Sequence, residues 1–235
     1  MCIIISNTNG KMTKKALQNC WNGNKDGAGL AYSDNGQLMI YKELEKFETF
    51  WKVYSEAYDK HGKTSDFLLH FRISTGGGKT LENVHPFNAG EMLMAHNGTF
   101  HGKYPPTKTQ SDTNLLCEAL TKAKVTSELV QGELYQQLLS DHIGSTNKLV
   151  FLHPDGTSTI INPKAFRAEY DKRGNWYSND SYKGKKKYAG NKEVKSSSGT
   201  SGRETRDYTN TSLGYGDYED SRFDWRGSNN RVRDN

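Results

Sequence analysis

The apolar pattern of this chain stops about three quarters of the way along, and that break limits how much of it can fold. Up to about Asp180 the chain carries repeated apolar runs. Beyond it Gly, Ser, Asn, Lys, Arg and Tyr dominate and no apolar periodicity survives. The overall figures of 33% hydrophobic and 25% charged residues therefore average two unlike parts. A stretch of about 175 residues is long enough to bury a sizeable core. The remainder has too little apolar surface to offset the entropy of ordering it, so residues 1–178 are expected to form the domain and 179–235 a disordered, polar tail.

Charge divides in the same way. The net charge is +5, and residues 181–235, with 12 Lys and Arg against 8 Asp and Glu, supply four of those positive charges. The domain is thus nearly neutral and offers no basic footprint of its own for nucleic acid. In the tail, Lys183, Lys185, Lys186 and Lys187, followed by Tyr208, Tyr215, Tyr218, Phe223 and Trp225, set out the charge and stacking groups of a weak single-strand nucleic-acid contact. Acidic residues dilute the basic ones throughout, which favours a solvated tail instead.

Three cysteines, Cys2, Cys20 and Cys117, are an odd number without close pairing, and no CxxC occurs. Neither a disulfide framework nor a cysteine-built metal site is expected, and no cofactor is implied. No basic-then-apolar leader and no run of about 20 apolar residues is present, so no membrane association is expected. A reducing cytoplasm is the expected location, where a free thiol stays usable.

Strand signals crowd both ends and helical ones the middle. Cys2 to Ser6 reads as a buried strand. Ala28 to Ser33 and Gln37 to Lys42 alternate around Asp34-Asn35-Gly36, a strong hairpin signal. Two further hairpins are expected around Pro154-Asp155-Gly156 and around Asp171 to Gly174. Helices are expected over Met12 to Trp21, Phe47 to Tyr58 and Ser111 to Lys122, with a weaker one over Leu129 to Leu139. In the third, Leu115, Leu116, Ala119 and Leu120 are expected to share the buried face. Phe50, Trp51, Tyr54 and Tyr58 at helical spacing read as core packing. The pattern suits a layered α+β architecture, not an alternating parallel one.

Four local features carry chemistry, and each also has a plain structural reading. Cys2 follows the initiator Met, whose removal would leave a thiol beside a free α-amine with a reference pKa of about 7.7–8.0, a base close at hand. Taken alone, Cys2 is as easily a small hydrophobe leading a strand. The segment Asp66 to Ser74 delivers Arg72 at a strand end, before Thr75 and three glycines. The planar guanidinium suits a carboxylate, although such an arginine is equally a surface ion-pair residue. His96-Asn97-Gly98 follows an apolar strand, where an asparagine amide and the next N–H would make a two-donor oxyanion hole, or simply a turn. Ser111-Asp112-Thr113 opens a helix, which a Ser cap and an acidic first turn explain by themselves.

Taken together, Cys2, Asp26-Gly27-Ala28-Gly29-Leu30-Ala31, His70-x-Arg72-x-x-Thr75-Gly76, Glu82-Asn83-x-His85-Pro86-Phe87, His96-Asn97-Gly98 and Ser111-Asp112-Thr113 resemble the class II glutamine amidotransferases. The motifs span roughly residues 1–120. The resemblance implies an N-terminal-nucleophile hydrolase fold, a four-layer αββα sandwich of two antiparallel sheets between helical layers. It implies Cys2 as nucleophile and, through its amine, general base, with Asn97 and Gly98 as oxyanion hole. Arg72 would hold the substrate α-carboxylate and Asp112 the α-ammonium, with Thr75 and Gly76 lining the pocket and His85 in a supporting place. Two positions depart from the family: Ile3 stands where glycine usually follows the nucleophile, and Gly23-Asn24 where an arginine is common. The substrate implied is glutamine, and the ammonia would pass to a separately encoded acceptor or synthase enzyme. A free-standing amidohydrolase acting on another γ-glutamyl compound and a non-catalytic binding protein keeping the fold are the competing readings.

Overall fold

The structure, a computed structural model, describes residues 2–74, 78–100 and 102–184. Of the expected disordered tail, 179–235, the first six residues are described and are structured: Asn179 is buried and Asp180–Lys183 form a short 3-10 helix. The rest of that tail, with its expected nucleic-acid contact apart from Lys183, lies outside the described residues. Among the described residues ten strands and five helices follow one another: β1 (Ile3–Asn7), α1 (Lys14–Gly23), β2 (Ala28–Asp34), β3 (Gln37–Glu43), α2 (Phe47–His61), β4 (Phe67–Phe71), β5 (Phe87–Ala89), β6 (Met92–Asn97), α3 (Asp112–Lys122), α4 (Ser127–Gln131), α5 (Glu133–Ile143), β7 (Lys148–Leu152), β8 (Ser158–Ile161), β9 (Glu169–Tyr170) and β10 (Trp176–Tyr177). Among the described residues no helix is long and apolar enough to cross a membrane.

The strands form two antiparallel sheets, ordered β3-β2-β4-β1-β10-β9 and β5-β6-β7-β8. Side-chain alternation divides the interior into three apolar layers. Ile3 and Ile5 of β1 and Phe67, Leu69 and Phe71 of β4 turn toward Leu17, Phe50 and Tyr54 of α1 and α2. Met92 and Met94 of β6 and Leu149 and Phe151 of β7 turn toward Leu116, Leu120 and Leu139 of α3 and α5. Between the sheets lie Ile4, Leu68, Leu93, Ala95, Val150, Leu152 and Trp176. A strand apolar on both faces has to be covered on both, which is why Ile3-Ile4-Ile5 reads as an unbroken run. The result is the expected α+β, αββα sandwich.

Local chemistry sets most boundaries. At the first hairpin Asn35 and Gly36 have φ of 50° and 87°, the two left-handed positions of a tight two-residue turn. Helix α1 starts two residues later than the sequence suggests, because the Thr13 hydroxyl accepts from the Ala16 N–H at 3.2 Å and Met12 precedes the cap, buried. Ser111 caps α3 in the same way. The buried face of α3 is Thr113, Leu116, Cys117 and Leu120; Ala119, expected to be inside, is exposed. The expected helix over Leu129 to Leu139 is two helices, α4 and α5, parted at Gly132, whose extended ψ of 132° breaks the helical path.

Candidate active site

Five chain segments meet at one end of the sandwich. The β1–β4 register pairs Ile3 with Phe71, so the next residues out, Cys2 and Arg72, face each other just past the sheet's end. The β1–β10 register pairs Ile5 with Tyr177 and so brings Ser178 beside Ile4. In the other sheet β6 ends at Asn97 and Gly98, and the start of α3 closes the site with Asp112. The residues lining the resulting pocket, about 100 Å³ in volume, include Cys2, Arg72, His85, His96, Gly98 and Asp112. A larger groove of about 460 Å³ between α5 and β8 brings together none of the motif residues.

The Cys2 sulfur sits between the two polar groups of Ile73. It accepts from the Ile73 N–H at 3.2 Å and its thiol reaches the Ile73 carbonyl at 3.3 Å. Burial pushes the thiol pKa up, and the Ile73 N–H and the Arg72 charge only partly oppose it. A thiol held protonated in this way needs a base to become a nucleophile. Arg72 is buried, and one guanidinium N–H donates to the Gly78 carbonyl at 2.7 Å, joining the strand end to the far side of the glycine loop. Thr75 and Gly76, expected to line the pocket, lie outside the described residues.

Asn97 is buried and its amide is engaged: it donates to the Cys2 carbonyl and, at 3.0 Å, to the Ser178 hydroxyl. Gly98 has φ of 151°, and a β-carbon there would lie 2.0 Å from Asn147 Oδ1. Only glycine fits this position. Asp112 turns one carboxylate oxygen to the Phe100 N–H at 3.0 Å and the other to the Thr113 N–H at 2.8 Å. It therefore braces the loop that follows Gly98 as well as bordering the pocket.

Three buried imidazoles back the site. His70 and His85 stack with ring centroids 4.1 Å apart, and among the described residues neither nitrogen of His70 has a hydrogen-bond partner. The His96 N–H donates to His85 Nδ1 at 3.2 Å, so a neutral His85 carries its proton on Nε2. His96 bridges Thr113 Oγ1 and Asn147 Oδ1, each at 2.9 Å. Burial is the largest cause of the low pKa of all three, which is about 3 for His70, about 4 for His96 and well below the usual range for His85. They are neutral groups that position others. Gly29 makes room for His85: a β-carbon there would meet the His85 carbonyl oxygen at 1.9 Å.

Of the expected site residues, Cys2, Arg72, His85, Asn97, Gly98 and Asp112 converge. Sequence reasoning passed over Ser178 and Asn179, both fully buried. The Ser178 hydroxyl accepts from the Ile4 N–H at 2.8 Å, and the Asn179 amide donates to the Cys2 carbonyl at 2.6 Å. Tyr177-Ser178-Asn179-Asp180 looks like the start of a linker, and nothing local in it signals a site. Asn147 was missed for the same reason.

Comparison with known proteins adds a likeness of sequence and of shape. No family model matches the chain. An amidophosphoribosyltransferase from Lacticaseibacillus casei is 26% identical over 110 residues, covering 43% of this chain and 57% of that protein. Among solved structures, the glutamine phosphoribosylpyrophosphate amidotransferase of B. subtilis aligns over 75% of this chain and 40% of its own, at 14% identity and TM-score 0.42. A structure described as the allosteric regulatory enzyme of purine biosynthesis aligns over the same shares at 16% identity and TM-score 0.43. A glutamine aminotransferase class-II domain protein from Silicibacter pomeroyi aligns over 75% of this chain and 87% of its own, at 14% and 0.35. The chain thus spans little more than half of the curated relative and well under half of the first two structures. The resemblance to class II glutamine amidotransferases drawn from the motifs accords with the sequence relative.

Proposed function

We propose that the chain hydrolyses the side-chain amide of glutamine, with Cys2 as nucleophile. The observation that carries this reading is the meeting of Cys2, Arg72, Asn97-Gly98 and Asp112, from four separate segments, around one pocket. Removal of Met1 frees the Cys2 α-amine, which takes the thiol proton, the task for which the pocket offers, among the described residues, no histidine titrating near neutral pH: His85 and His96 are both held well below their usual range.

The thiolate then adds to the amide carbon and the carbonyl electrons move to oxygen. Gly98 N–H and the Asn97 amide stabilise that oxyanion. The ammonium at Cys2 gives its proton to the leaving nitrogen, ammonia departs, and a γ-glutamyl thioester remains. Water, deprotonated by the same amine, adds to the thioester through a second oxyanion and releases glutamate and the thiol. Arg72 and Asp112 act at the amino-acid end of the substrate, where they fix orientation and select a free α-amino acid. His85 supports the pocket from behind. The ammonia passes to an acceptor enzyme; the name of the sequence relative, an amidophosphoribosyltransferase, supports this part.

The test is glutamate and ammonia release from glutamine by the full chain beside Cys2→Ala, with intact mass to establish removal of Met1. Glutamate formation that vanishes in Cys2→Ala is the expected result. Release that persists in Cys2→Ala, or that proceeds with Met1 retained, would overturn the mechanism.

A further inference from the structure

The carbonyl of Cys2 accepts from two side-chain amides at once, Asn97 and Asn179. Asn97 spends its other proton on the Ser178 hydroxyl. With both protons engaged, Asn97 has none left for an oxyanion, so it has to release an acceptor before the hole is complete. If it were the only donor to the Cys2 carbonyl, that release would strand a carbonyl beside the nucleophile, and an unpaired buried acceptor is strongly disfavoured.

We infer that Asn179 is a positioning residue for the proposed reaction: it keeps the Cys2 carbonyl paired while the Asn97 amide turns to the oxyanion. The arrangement around Asn179 suits this. Its own Oδ1 accepts from the Ser181 N–H at 3.1 Å and the Ser181 hydroxyl at 2.6 Å, which fixes the amide plane with its NH₂ toward Cys2. Ser178 is locked from the other side, through Ile4 N–H to its hydroxyl and Ser178 N–H to the Ile4 carbonyl at 3.0 Å. Asn97 thus has two acceptors to leave or keep, and Asn179 has one fixed duty. The inference rests on Cys2 being the nucleophile.

The experiment is a double-mutant cycle of Asn97→Ala and Asn179→Ala on glutamine hydrolysis by the full chain, with Asn179→Asp as a second variant. The aspartate keeps the acceptor for Ser181 and loses the donor to Cys2. Both Asn179 variants are expected to lower kcat by at least about tenfold while KM for glutamine moves less than about twofold, because the loss falls on the transition state. Adding Asn179→Ala to Asn97→Ala is expected to change kcat by less than about twofold, since the residue acts through Asn97. Alkylation of Cys2 by iodoacetamide, which forms no oxyanion, should keep its rate within about twofold in every Asn179 variant that retains the wild-type circular dichroism. Additive effects in the cycle, a kcat that does not fall, or alkylation slowed in step with kcat would overturn the inference. If the wild-type protein hydrolyses glutamine and Cys2→Ala does not, such results sink the role of Asn179 alone; if the wild type releases no glutamate, the proposed function fails and this inference with it.

Discussion

Lowering the pH from 7 to 5 is expected to cost the fold at least about 4 kcal/mol, a large part of what a domain of this size has to lose. His70, His85 and His96 are buried and uncharged, with pKa values held below the usual histidine value, about 3 for His70 and about 4 for His96. In the unfolded chain each titrates near 6.5. A depressed folded pKa means that the unfolded state takes up the proton first. Stability is therefore full above about pH 6.5 and falls as the pH drops from there toward the folded values. For one imidazole that stays neutral in the fold, the loss between pH 7 and 5 is about 2 kcal/mol; His70 and His96 together give about 4, and His85 and the buried His153 act in the same direction. Carboxylates whose folded pKa is lowered contribute little in this window, because their unfolded pKa values lie near or below 4.3; Asp66, raised by burial, works in the opposite direction. The assay is urea denaturation at pH 7 and pH 5, with stability extrapolated at each. His70→Met isolates one of the three: it is close in volume, lacks the two ring nitrogens that have no partner, and should reduce the pH-dependent loss by about 2 kcal/mol. A wild-type stability that changes by less than about 1 kcal/mol across the interval, or a His70→Met protein with the wild-type slope, would refute the reasoning.

Two further outcomes follow from single positions. Gly98→Ala forces a β-carbon into Asn147 at a φ of 151°, so it is expected to lower stability by about 2 kcal/mol or more, read as a lower thermal midpoint, and to abolish glutamate release. Trp176→Ala empties the layer between the sheets, where the indole is fully buried and its N–H donates to the Pro163 carbonyl at 2.9 Å; a loss of about 3–5 kcal/mol in urea denaturation is expected, and a loss under about 1 kcal/mol would argue against that packing.

What the sequence determined by itself is what short-range chemistry determines. Asn35-Gly36 had to turn the first hairpin because both positions need positive φ, and Ser111 had to cap α3 because its hydroxyl reaches a free N–H three residues on. The Ile3-Ile4-Ile5 run announced a strand covered on both faces. The motif residues announced a set of reactive groups, though not what holds each of them. Where the local signal was ambiguous, packing decided: the buried face of α3 took Thr113 and Cys117 and left Ala119 outside, because the side of a helix that meets the sheet is fixed by direction and not by hydrophobicity alone. The rest belongs to the tertiary structure alone. Asn179 and Cys2 are 177 residues apart, and Asn97 and Ser178 are 81 apart. Their encounters exist only because the β1–β10 register and the stacking of β6 on β1 bring those strand ends together, and no short stretch of sequence encodes a register between strands so distant in the chain.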